Sequence, residues 1–146
     1  MSGDGRLLRL RAEDDEDIAV FSAVLQDALV PVADIAFFPD EQRFLLVANR
    51  FRWERDAHDE RKDFERIHTG FRADSVTAVK YRGFRRSDPD RLLELLTVTS
   101  QGGAITLEFA GDASVRLEVD RILCHLEDIG EPWPTRWRPD HPVDRA

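Results

Sequence analysis

The spacing of apolar residues changes several times along this chain, and each change marks a new kind of element. Leu7, Leu8 and Leu10 lie among Arg6, Arg9 and Arg11, which predicts a short first strand. Asp14-Asp15-Glu16-Asp17 then precedes Ile18, Phe21, Val24, Leu25 and Leu29 at three- and four-residue spacing. Carboxylates at a helix start satisfy its free N–H groups and favour its positive end, so a helix is predicted over roughly 14–28. From residue 32 the period is two. Ile35, Phe37 and Phe38 lead into the turn Pro39-Asp40-Glu41-Gln42, and Phe44 to Trp53 makes the returning strand of a hairpin. Residues 55–63 are almost wholly polar and read as an exposed loop. Strands follow at Phe64–Arg72, Val76–Phe84 and Leu92–Ser100. The clearest alternation is in Ile105-Leu107-Phe109 and Val115-Leu117-Val119. Val119, Ile122, Leu123, Leu126 and Ile129 return to helical spacing, with Asp120 near the start and Gly130 at the end. A tail over 131–146, rich in Trp and Pro, closes the chain.

The predicted order is strand, helix, about seven antiparallel strands, helix and tail, in a single domain spanning residues 1–146. This is an α+β class, with a strongly bent sheet or partly closed barrel flanked by an N-terminal and a C-terminal helix. Such an arrangement is pleckstrin-homology-like, an analogy of architecture that assigns no function.

Charge adds a direction to this picture. The 146 residues carry a formal net charge of −8. Residues 43–91 nevertheless hold thirteen basic against nine acidic side chains, a balance of +4. An acidic protein with one basic stretch offers a local surface to an anion while the rest repels nucleic acid and membranes. All but two of the basic residues are Arg, which grips anions through a fork of N–H groups. Cys124 is the only cysteine, so no intrachain disulfide forms, and no apolar run approaches the ~20 residues of a membrane span. The N-terminus lacks a secretory signal. A cytoplasmic location is the expectation.

Alternation on the three strands of the basic stretch places Arg50 and Arg52 opposite Leu45, Val47, Phe51 and Trp53. It sets Arg66, His68 and Arg72 opposite Ile67 and Phe71, and Lys80 and Arg82 opposite Val79 and Tyr81. If these strands are neighbours, Arg50, Arg52, Arg66, His68, Lys80 and Arg82 form a cationic ligand-binding face suited to phosphate or carboxylate. The bland alternative is a solvated sheet face laced with cross-strand ion pairs. Trp133, Arg136 and Trp137 in the tail are the second candidate, a partner-binding strap of residue types common at interface hot spots. Their alternative role is to cover apolar surface at the end of the sheet.

Catalytic signatures are missing. There is no Gly-rich phosphate loop, nucleophile elbow or HExxH motif. His58, His68, His125 and His141 have no metal-ligand spacing, and Cys124 beside His125 on a helix diverges from it. No catalytic residue, metal or cofactor is expected. The Ser22-Ala23-Val24-Leu25-Gln26-Asp27-Ala28 segment, the strand from Arg43-Phe44 to Asn49-Arg50-Phe51-Arg52-Trp53-Glu54, Gly111 with Leu117-Glu118-Val119, and the ending Trp133-Pro134-Thr135-Arg136 with Pro139-Asp140-His141-Pro142 carry a resemblance. Over about residues 6–143 the chain resembles a small alphaproteobacterial family of unknown function. The resemblance implies a cytosolic bacterial protein and brings no activity with it. The expected function is a non-enzymatic binding or adaptor module for an acidic protein or phosphorylated ligand. A nucleic-acid-binding domain using the same face, and an enzyme with a dispersed site, are the alternatives.

Overall fold

The computed structural model describes residues 7–53 and 64–135. Among the described residues, ten strands and one α-helix follow in order. They are β1 (Arg9–Ala12), α1 (Asp15–Leu25), β2 (Leu29–Pro31), β3 (Ile35–Phe38), β4 (Arg43–Phe51), β5 (Phe64–Ala73), β6 (Val76–Arg82), β7 (Leu92–Gln101), β8 (Ala104–Phe109), β9 (Ala113–Val119) and β10 (Cys124–Thr135). All join one sheet in the order β1-β10-β5-β4-β2-β7-β8-β9-β6, with β3 paired to the start of β4.

Two short elements bend this sheet. Leu29 in β2 pairs with Asn49 of β4 on one side and Glu94 of β7 on the other, so three residues bridge two larger halves. Asp74 and Ser75 form the second corner. Ser75 takes a left-handed φ of 59°, and the chain passes from β5 in one half to β6 in the other without the two strands pairing. The inward faces then enclose one apolar core. Helix α1 contributes Ile18, Phe21 and Leu25 to it, and Phe21 meets Phe71 edge-on at 6.2 Å. The helix starts where its acidic run predicts, because the Asp14 carboxylate accepts from the Asp17 N–H at 2.8 Å.

Several sequence expectations need correction. The pleckstrin-homology-like barrel with a C-terminal helix is not formed. The sheet is open, with β1 and β6 at its two ends, and it has ten strands rather than about seven. The segment expected to be the second helix is β10. Cys124, Leu126 and Asp128 point inward in alternation, while Gly130 takes φ 74° at an irregularity in the β10–β5 register instead of capping a helix. The predicted facing of β4 is also reversed. Phe44, Leu46, Ala48 and Arg50 are buried, and Leu45, Val47 and Asn49 lie on the outer side.

One interaction explains both errors of pattern. Arg50 and Asp128 are buried polar residues at inward positions, where alternation rules expect apolar ones. They meet as a two-pronged pair, with Arg50 Nε donating to Asp128 Oδ1 at 3.0 Å and Nη2 to Oδ2 at 2.8 Å. Thr69 Oγ1 donates to Oδ1 at 2.7 Å, the Leu8 N–H donates to Oδ2 at 2.9 Å, and Arg50 Nη1 donates to the Phe51 carbonyl at 3.2 Å. A charge pair can sit inside a protein when its remaining donors and acceptors are satisfied in this way. Burial would raise the Asp128 pKa. The hydrogen bonds from Arg50, Leu8 and Thr69, with the Arg50 charge, outweigh it and hold the carboxyl below its ordinary range.

Candidate functional site

The outer face of β4, β5 and β10 holds a concavity close to the predicted residues Arg66 and His68. Register fixes its layout in rows, because residues paired across neighbouring strands share a face. Leu45, Arg72 and His125 make one row, and Val47, Gly70 and Glu127 the next. Asn49, His68 and Ile129 make a third, and Phe51, Arg66 and Trp133 a fourth. Gly70 is the cause of the hollow. It is the one residue of the middle row without a side chain, and a Cβ there would lie 3.2 Å from Ile129 Cδ1.

The resulting trough has a volume of about 330 Å³ and is lined by Leu45, Val47, Gly70, Arg72, His125 and Ile129 among others. This falls in the range of ligand-sized sites. A smaller hollow of about 110 Å³ adjoins it, sharing Val47 and reaching His68, Asn49 and Leu92. Ile129 and Leu92 are about half exposed, at 48% and 54%. Apolar surface therefore runs across the face in a molecule whose exposed residues are otherwise mostly polar.

Hydrogen-bonding groups stand at both ends. At one end Arg72 Nη2 approaches His125 Nδ1 at 3.0 Å. Since guanidinium only donates, Nδ1 accepts and the neutral ring keeps its proton on Nε2. Burial lowers the His125 pKa, and the neighbouring Arg72 charge lowers it further. Arg72 also pairs with Asp74, Nε to Oδ2 at 3.3 Å. At the other end the His68 and Trp133 rings lie 4.8 Å apart. Arg66 donates from Nη1 to the Asn49 carbonyl at 3.1 Å and side-chain oxygen at 3.0 Å. Its guanidinium sits over the Phe51 ring, 6.0 Å from the centroid. Partial burial lowers the Arg66 pKa, and the carboxylates of Asp27 and Glu94 oppose that shift.

The six residues of the expected cationic face are therefore divided among three environments. Arg66 and His68 come together on the outer face of β5 beyond the trough, where His68 reaches the smaller hollow and Trp133 joins them. Arg50 is sealed in the interior against Asp128. Arg52 is 1% exposed and pairs with Glu65, Nη1 to Oε1 at 2.5 Å. Lys80 and Arg82 are exposed on β6, the opposite end of the sheet order. The continuous patch fails because β5 and β6, adjacent in sequence, are not adjacent in the sheet. Arg136 and Trp137 lie outside the described residues.

Sequence reasoning gave no functional weight to Arg72, His125, Ile129 or Gly70. The lone glycine inside a strand pattern was the available signal, since it marks a close approach or a missing side chain. Among the described residues, the trough is lined by no Ser, Thr or Cys side chain. Cys124 adjoins His125 in sequence but points to the core, where burial, with Asp74 adding to it, pushes its thiol up to about 12. Among the described residues no cluster of three or more His, Cys, Asp or Glu could hold a metal ion. No helix among them is long and apolar enough to cross a membrane.

Fold and site together define an open antiparallel-sheet protein with a ligand-sized trough on one face. The chain belongs to the family described as "Protein of unknown function (DUF2948)", whose model matches residues 8–141. No curated protein and no solved structure matches it.

Proposed function

We propose that this protein is a non-enzymatic binding module of a bacterial cytoplasm, and that it docks an acidic segment of a partner protein along the outer face of β4, β5 and β10. The observation that carries this reading is the Gly70-floored trough, mostly apolar in its lining although Glu127 borders it, with Arg72 and His125 on its wall and a smaller adjoining hollow that reaches His68, beside Arg66 and Trp133. An apolar side chain fits the hollow, and flanking carboxylates meet N–H donors on either side. The nucleic-acid reading loses its support, because Arg50 and Arg52 do not reach the surface that it required.

A displayed library of short peptides, selected on the wild-type protein, tests this function. Peptides placing Leu, Ile or Phe between Asp or Glu residues should be enriched. Gly70→Leu fills the trough from a position of ordinary strand φ, where the half-exposed Ile129 side chain must shift by a few tenths of an ångström to admit the new Cβ, so it should weaken these peptides at least about tenfold, with the unfolding midpoint measured alongside to separate lost binding from lost folding. Enrichment of basic or purely polar peptides, or equal binding by Gly70→Leu, would refute the reading.

A further inference from the structure

The connection between β6 and β7 carries a second surface that the trough does not explain. Residues 80–91 hold five basic side chains, Lys80, Arg82, Arg85, Arg86 and Arg91, against Asp88 and Asp90. That is a local balance of +3 in a chain of −8. Arg86 is occupied, stacked on Tyr81 at 4.9 Å and donating from Nη2 to the Ile35 carbonyl at 2.9 Å. Among the described residues, Arg82 and Arg85 have no carboxylate partner. Arg85 and Arg91 line a hollow of about 490 Å³ with Gly83, Phe84 and Asp88.

This segment is held in place although it forms no strand. Asp88 N–H donates to the Arg85 carbonyl at 3.1 Å and Arg91 N–H to that of Asp88 at 3.2 Å. Val32 and Ala33 N–H groups donate to Arg91 and Pro89 carbonyls at 2.9 and 3.3 Å. Phe84 packs edge-on against Tyr81 and Phe109, fixing the floor. Arg91 Nη1 donates to the Gly83 carbonyl at 2.9 Å, which orients its guanidinium and leaves other N–H groups for a ligand. One guanidinium oriented by its own hydrogen bond, that of Arg91, beside the exposed one of Arg85 over a concavity suits a tetrahedral anion.

We propose that the hollow at Gly83–Arg91 binds the phosphate group of a small phosphorylated ligand, with Arg85 and Arg91 contacting its oxygens and Asp88 accepting from a ligand hydroxyl. The test is an amide-resolved NMR titration of the whole protein with inorganic phosphate and with glycerol phosphate, at physiological salt. Saturable shifts should centre on residues 83–91. Arg85→Ala, at an exposed side chain, should weaken both probes about tenfold without changing the unfolding midpoint. Asp88→Ala should strengthen inorganic phosphate a few-fold and remove the preference for the ester. The site is refuted if shifts spread equally over Lys80, Arg116 and Arg121, or if Arg85→Ala binds as the wild type does. A ten-nucleotide single strand that outcompetes both probes and shifts the face of β8 and β9 would also refute it, in favour of a nucleic-acid surface.

Discussion

Arg72 and His125 show how one contact sets the state of a side chain. The guanidinium donates to Nδ1, so a proton cannot be added there without breaking the bond. Partial burial acts in the same direction, and the folded pKa falls below the ordinary 6.5. A histidine with a lowered folded pKa binds protons more readily in the unfolded chain. Its stabilising effect is therefore complete above pH 6.5 and is lost as pH falls from there through the folded value. NMR titration of the His125 ring should give a midpoint under 6.5. Arg72→Gln should move it part of the way back up, because burial is the larger cause and remains. At this scale strand alternation singled out Arg66 and His68, and residue type singled out Trp133, as candidates. The Arg72–His125 pair was not, since the two are 53 positions apart and meet only through the β5–β10 register.

Glycines decide whether particular elements can form at all. Gly83 follows β6 with φ 81°, and a Cβ on it would fall 2.4 Å from the Asp112 carbonyl oxygen and 2.8 Å from Ala113 Cα. These are backbone atoms and cannot swing away. Gly102, in the β7–β8 turn, has φ 56° and nothing within 4 Å of an added Cβ. Gly102→Ala should cost only the left-handed strain, about 1 kcal/mol, whereas Gly83→Ala adds a clash and should exceed about 2 kcal/mol. Urea unfolding of the two variants measures the difference, and equal costs would show that the β9 start relaxes freely. Most elements were legible in the pattern: the capped helix, the β3–β4 hairpin and the β7–β8–β9 meander. Two were not: β2, whose Leu29 reads with the face of the helix, and β10, which has apolar residues whose spacing fits a helix. Its alternation Cys124, Leu126, Asp128 is hidden because the third inward residue is an acid.

For the whole molecule, the Arg50–Asp128 pair ties β4 to β10 from either side of β5 and fastens Leu8, just before β1, to the same carboxylate. Asp128→Ala would leave a guanidinium buried without its counter-charge, and should cost about 3–5 kcal/mol. Arg50→Met with Asp128→Leu removes both charges and should recover most of that loss, as urea denaturation would record. A double variant as unstable as the single one would show that the hydrogen bonds to Thr69 and Leu8 matter more than the charges. The sequence by itself determined the local elements, because capping, turn chemistry and period-two burial act over a few residues. It also determined the uneven distribution of charge. Only the tertiary structure decided which face of β4 is inside, that residues 124–135 form a strand, and that the basic residues separate into a buried pair, a group on the outer face of β5 and two exposed positions on β6. The physical reason for the first two is that a charge reads as a surface residue until its counter-charge is found, and here Asp128 lies 78 positions from Arg50; for the third it is that strand order, which set β6 far from β5, is not a local property of the chain.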